Sequence, residues 1–353
     1  MTFEQIIKEL KAEKYYSVYF LQGEEPYFID CISDFIEKSV LNESEKTFDQ
    51  IVVYGRDVSK ETVVGLAKGF PMIAQKRVVI VKEAQNINNL TGSKSKILNP
   101  PEDLLEKYLK NPTPSTILVF CYKYKTLDQR TALYKAFEKA GIVFKSEKLK
   151  DYKVAAWISD YVKSCDYNIA QTSAILLSEY LGNDLSKICN EVQKLFIGLP
   201  KGSTINNDII EQHIGISKDY NVFELQNAIG KRDLLKINRI INYYAANSKE
   251  NPIQMVIPML FKYFVKILIY HRLKDKKDKD KQPPSQESIC KALGINPYYL
   301  KDYADAAKNY SGGKIVDNIH ILREYDMRSK GYGTAGNLSD GDLYKELIFR
   351  LMY

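Results

Sequence analysis

The apolar positions of the first 148 residues change period repeatedly. Val18, Tyr19, Phe20 and Leu21 form a short continuous apolar run, the pattern of a strand covered on both faces. After a break at Gly23, Tyr27, Phe28, Cys31, Ile32, Phe35 and Ile36 recur at helical spacing. Asp49–Tyr54, Arg77–Lys82, Thr116–Tyr122 and Ile142–Phe144 read as further strands. Lys60–Lys68, with Val63, Val64 and Ala67 inward, and Gln129–Ala140, ended by Gly141, read as helices. Strands alternating with helices predict a mainly parallel sheet with right-handed crossovers. Residues 86–102, rich in Asn, Ser, Lys and Pro, predict an exposed loop.

Beyond residue 148 the strand pattern stops. Residues 149–215 predict short helices only: one marked by Trp157, Ile158 and Tyr161, then Gln171–Tyr180, Leu185–Phe196 and Asn207–His213. Residues 216–353 predict helices packed by apolar stripes: Phe223–Ile229, Leu234–Tyr244, Ile253–His271, Ser288–Leu293, Pro297–Lys308, Val316–Ser329 and Gly341–Met352. The most hydrophobic stretch, 252–270, contains Pro258, Lys262 and Lys266 and reads as a kinked core helix, not a membrane span. KDKKDKDKQPPSQ, residues 274–286, is either a solvated connection or a nucleic-acid patch. Ser288–Leu293, Gly294 and Pro297–Lys308 also fit a helix-turn-helix, a pattern that helical hairpins of any bundle share. The organisation is thus an α/β domain (1–148), a small helical domain (149–215) and an all-α domain (216–353).

Composition narrows this little. With 353 residues, 45% hydrophobic and 27% charged, the chain has the composition of a soluble globular protein with ample cores. The net charge of +7 permits a polyanionic partner without requiring one. Tyrosine is abundant at 26 and tryptophan nearly absent at 1, which is as much a bias of the genome as an aromatic surface. The five cysteines, 31, 121, 165, 189 and 290, form no C-x-x-C and read as buried free thiols of a reducing cytoplasm. His213, His271 and His320 lie far from one another in sequence, so no metal site is expected. Phe3, Ile6, Ile7 and Leu10 have helical spacing without an apolar secretion core.

A strand, a glycine turn and a helix N-terminus form the frame on which nucleotide phosphates are cradled. Here the turn reads Gly23-Glu24-Glu25-Pro26. It lacks the lysine that reaches the β/γ-phosphates and the Ser/Thr that holds magnesium. The strand 78–81 ends in Lys82-Glu83-Ala84 instead of an acidic pair. A helical module after an α/β domain is the order of the lid in oligomeric AAA+ ATPases. Its third helix carries Lys187, read as facing solvent, and no arginine to touch a γ-phosphate. Neither a cofactor site nor a nucleophile–base pair can be assembled from these residues.

Six segments in register carry a resemblance over nearly the whole chain: YFLQGEEPYFIDCI (19–32), GFPMIAQKRVVIV (69–81), LDQRTALYKAFEKAG (127–141), NEVQKL (190–195), NVFELQNAIGKRD (221–233) and EYDMRSKG (324–331). Together they resemble the delta subunits of the bacterial DNA polymerase III clamp loader. The resemblance implies an AAA+-like α/β domain with a degenerate P-loop, a helical lid and an all-α collar. It implies a role in opening the sliding clamp (beta subunit), inside a hetero-pentamer whose other subunits hydrolyse ATP to place the clamp on primer–template DNA. It also implies a cytoplasmic subunit without a membrane partner, cofactor or hydrolysis of its own. Pro71, Met72, Ile73, Lys76 and Arg77 would form the clamp-binding element, with Met72-Ile73 in place of the family's usual bulky Leu/Phe pair. Pro71 suits a first helical turn, so Met72 and Ile73 are expected at the exposed start of a short helix. The opposing reading has them capping the core beneath the strand that follows. Tyr298, Tyr299 and Lys301 are candidate DNA contacts, unless both tyrosines pack between bundle helices. An active ATPase and a stand-alone DNA-binding regulator are the competing functions.

Overall fold

The computed structural model describes residues 1–88, 90, 103–214, 220–275, 284–332 and 339–353. Two compact units divide the chain, Met1–Leu149 and Lys150–Tyr353.

The first unit runs α1 (Phe3–Lys11), β1 (Val18–Gly23), α2 (Pro26–Ser39), α3 (Glu43–Asp49), β2 (Gln50–Tyr54), α4 (Lys60–Lys68), β3 (Arg77–Lys82), α5 (Leu104–Lys110), β4 (Thr116–Lys123), α6 (Ala132–Ala140) and β5 (Ile142–Ser146). Its five strands pair in parallel in the order β2-β3-β4-β1-β5. All six residues of β1, the strand between β4 and β5, are buried. Successive side chains alternate between two cores. Val18, Phe20, Val79, Leu118 and Phe120 meet Val63, Val64, Leu105, Leu133 and Phe137 of α4, α5 and α6. Tyr19, Leu21, Ile80 and Val119 meet Ile6, Leu10, Ile29, Ile32 and Ile36 of α1 and α2. The predicted parallel α/β layer is therefore present.

Two helices, α3 and α5, are additional to the elements expected from the sequence. α3 is almost wholly polar and is set by a capping box between Asn42 and Glu45. α5 is capped by Asp103, whose carboxylate accepts from the Leu105 N–H. α6 begins at Ala132, not at Gln129. Asp128 binds both the backbone N–H and the guanidinium of Arg130, holding that segment as a turn until Thr131 caps the helix. Of the predicted exposed loop, Ile87 and Leu90 are buried, and residues 89 and 91–102 lie outside the described residues.

The second unit contains α7 (Asp151–Ser164), β6 (Asn168–Ile169), α8 (Gln171–Leu181), α9 (Leu185–Ile197), β7 (Thr204–Ile205) and α10 (Asn207–Ile214). It continues with α11 (Val222–Lys231), α12 (Leu234–Ala246), α13 (Ile253–Asp275), α14 (Gln286–Leu293), α15 (Leu300–Asn309), α16 (Gly312–Ser329) and α17 (Asp340–Met352). The paired strands β6 and β7 correct the expectation of helices alone in the stretch 149–215. α13 is long and apolar enough to cross a membrane. It buries Ile253, Val256, Ile257, Leu260, Phe264 and Ile267 in the helical core, and Pro258 lies inside it. Several tyrosines are core residues with satisfied hydroxyls: Tyr310 donates to the Ile229 carbonyl at 2.9 Å and Tyr344 to that of Asn251 at 3.0 Å. The charged stretch at 276–283 lies outside the described residues. Cys121, Cys189 and Cys290 are buried, Cys31 and Cys165 only partly so, and none of the five is in a disulfide.

Candidate functional site

Between α4 and β3 the chain leaves the helix at Gly69 and reaches the sheet only at Arg77. Phe70, Met72 and Ile73 stand 78%, 73% and 61% exposed, an apolar tip within four positions. No helix forms at Pro71; residues 71–76 are irregular. The carboxylate of Asp49, at the end of α3, replaces the expected helical turn. Oδ1 accepts from the Met72 N–H at 2.5 Å, and Oδ2 from the N–H groups of Ile73 at 2.8 Å and Ala74 at 2.7 Å. A carboxylate can take several donors from a helix-like turn, but here the chain must enter β3 three residues later, so no helical ladder follows. Asp49 is fully buried. Burial pushes its carboxyl up, yet the three N–H donors and nearby Arg77 outweigh this and hold it below the ordinary value.

Lys76 and Arg77, expected within the clamp-binding element, are engaged within the protein. Lys76 Nζ donates to the Pro114 carbonyl at 2.9 Å, and Arg77 Nη1 to the Phe70 carbonyl at 3.2 Å. Lys68 and Gln75, both exposed, are the polar residues that flank the tip.

At the C-terminal ends of β1 and β5, where doubly wound sheets bind ligands, Gly23 has φ +137°, and a Cβ there would lie 1.9 Å from the Ser146 carbonyl oxygen. Only glycine fits this turn. The donors that phosphate would need are already used: Gly23 N–H on the Lys125 carbonyl (3.1 Å) and Glu24 N–H on that of Ser146 (3.0 Å). The buried Glu25 carboxylate caps α2 by accepting from the Tyr27 N–H at 3.1 Å, with Pro26 opening the helix. Glu24 is exposed. From β3 and β4, Lys82 pairs with Glu37 of α2 at 2.8 Å and Lys123 with Asp30 at 2.6 Å.

In the second unit, Asn296 Oδ1 accepts from the Tyr298 N–H at 3.0 Å and opens a single tight turn, Pro297–Tyr299, ahead of α15. The predicted continuous helix from Pro297 therefore starts at Leu300. Tyr298 is 59% exposed, with its ring edge-on to Tyr299 at 5.1 Å. Tyr299 is half-buried against the helical core, and Lys301 is exposed. A cavity of about 230 Å³ adjoins the tyrosines and is lined also by Glu179, Glu224 and Asp302. Burial, then these carboxylates, push the Tyr299 hydroxyl upward. Lys187 is exposed, as expected. Among the described residues no cluster of three His, Cys, Asp or Glu could hold a metal ion.

The family described as "DNA polymerase III, delta subunit" matches residues 19–147, and "DNA polymerase III delta subunit, C-terminal domain" matches residues 219–338. The chain belongs to the delta-subunit family of DNA polymerase III. The DNA polymerase III subunit delta of Bacillus subtilis (strain 168) is 26% identical over 326 residues, covering 91% of this chain and 90% of that protein. The solved DNA clamp loader delta protein of Bacillus subtilis shares the fold at TM-score 0.62 and 24% identity, covering 99% of each chain. The tip and the glycine turn lie in the first delta match, and Tyr298, Tyr299 and Lys301 in the second. Two residues of the delta chain's tip escaped sequence reasoning. Phe70 is signalled only by standing beside Pro71, and Asp49, twenty-three positions before Met72, by nothing local.

Proposed function

We propose that this delta-family chain binds and opens the sliding clamp, with Phe70, Met72 and Ile73 as the plug that enters an apolar pocket of the clamp. The carrying observation is the tip itself: three large side chains held in water on a backbone that is hydrogen-bonded to the domain. An apolar anchor with a polar rim is the composition of a binding hot spot. The opposing reading, that Met72 and Ile73 cap the core, finds no support in side chains 73% and 61% exposed.

The chain acts in this proposal as a non-hydrolysing member of a cytoplasmic hetero-pentamer, without membrane or cofactor. Residues 149–215 serve as the lid and 216–353 as the collar that joins the other loader subunits. Hydrolysis is left to those subunits because the glycine turn spends its donors on the carbonyls of Lys125 and Ser146 and carries Glu24 and Glu25. Tyr298, with Lys301, is the candidate for stacking on primer–template DNA; the carboxylates around Tyr299 oppose a phosphate there.

Burying Met72 and Ile73 contributes roughly 1.5–3 kcal/mol each. Replacing both by alanine should therefore weaken clamp binding by about a hundredfold or more, at about 1.4 kcal/mol per tenfold. The melting temperature and loader assembly should stay nearly unchanged. A double variant that binds the clamp at wild-type strength, or melts much earlier, refutes the assignment.

A further inference from the structure

The tip combines two properties. Its side chains face water, while its backbone is tied to a buried anion from a different element. The segment 70–76 has no helical or sheet ladder of its own, so three successive N–H groups would otherwise have only water as partner. Asp49 gathers all three, at 2.5, 2.8 and 2.7 Å, and is itself fully buried. On the opposite flank, the Arg77 guanidinium holds the Phe70 carbonyl at 3.2 Å. The loop is clamped on both sides of Pro71.

We infer that Asp49 is the positioning residue of the plug, holding Met72 and Ile73 in their binding conformation before the partner arrives. The inference rests on the plug reading above. Ordering a loop during binding subtracts from affinity, and settling that order beforehand removes the loss. Where only a fraction of molecules is competent, apparent affinity falls by that fraction. Loss of the Asp49 carboxylate should therefore slow association, whereas loss of the apolar side chains should speed dissociation.

The experiment uses the full chain and the purified sliding clamp. In the wild-type protein the amides of Met72, Ile73 and Ala74 should exchange with solvent at least tenfold more slowly than in an unstructured peptide, although their neighbouring side chains are exposed. Exchange at peptide rates overturns the inference without any variant. Asp49→Asn keeps the shape but turns one acceptor into an N–H₂ donor facing N–H donors. It should free at least one of these amides and lower the association rate about tenfold, with the dissociation rate within about twofold of wild type. Freed amides with an unchanged association rate overturn the inference. Met72→Ala, Ile73→Ala provides the contrast: amides still protected, dissociation faster. If that variant binds like wild type, the plug assignment is what fails, and the positioning role falls with it. If Asp49→Asn does not fold, the exchange measurement on the wild-type protein decides.

Discussion

Lys82 ends β3 with its ammonium 2.8 Å from the carboxylate of Glu37 on α2. Burial works against that charge, but Glu37 outweighs it and raises the lysine above its ordinary value. A cation thus occupies the strand end where a nucleotide hydrolase places the acid that holds its metal, and the metal is the group that neutralises phosphate charge. Titration of the isolated chain with Mg-ATP is expected to give no saturable heat. Binding at micromolar concentration would show that the turn Gly23–Pro26 opens to admit phosphate.

Phe70 separates a three-residue plug from the two-residue one expected from sequence. With Phe70 78% exposed in the free chain, its burial in a partner is worth roughly 1.5–3 kcal/mol. Phe70→Ala should weaken clamp binding by about ten- to a hundredfold while leaving the melting curve in place. Unchanged affinity would confine the plug to Met72 and Ile73.

Glu179 faces Lys266 and Tyr299 in the helical unit, and burial pushes its carboxyl up to about 7 against the pull of both. A raised folded value means that the folded state holds a proton which the unfolded chain has already lost. Stability should accordingly fall as pH rises from about 4.5 to about 7, by about 1–3 kcal/mol. Urea unfolding of Glu179→Gln across this range should lose that part of the slope. An identical pH profile in the variant would place the proton elsewhere.

Tyr298 and Tyr299 should separate cleanly. Tyr298→Ala removes a largely exposed ring and is expected to cost less than about 0.5 kcal/mol of stability while reducing primer–template binding of the assembled loader. Tyr299→Ala removes a ring packed on the helical core and should lower the melting temperature by several degrees. If Tyr298→Ala leaves DNA binding intact, stacking is not its role.

Much of the architecture was written locally. The apolar run at Val18–Leu21, the helical period of α4 and the glycine stops are one-dimensional signals, because each depends on residues within one turn or one strand. The same holds for the missing phosphate ligands after Gly23, which any reader of the chain can see. The polar helix α3 was not legible: its helicity comes from a capping box, while the apolar periodicity that marks core helices is absent. The strands β6 and β7, two residues each, were also hidden, since so short a pair carries no alternation and exists only by facing its partner.

The tip shows where sequence and fold divide the work. That Phe70, Met72 and Ile73 are apolar and interrupted by Pro71 is a property of the chain, and the family resemblance, not the pattern, singled out Met72 and Ile73. That they project into water on an irregular loop, without the expected helical turn, was decided by Asp49, which sequence leaves twenty-three positions from Met72 and folding brings to 2.5 Å. A buried carboxylate satisfies itself with whatever donors the packed domain places nearby. Which donors those are is a fact of three dimensions, because only the sheet order β2-β3 brings the end of α3 under the entrance to β3.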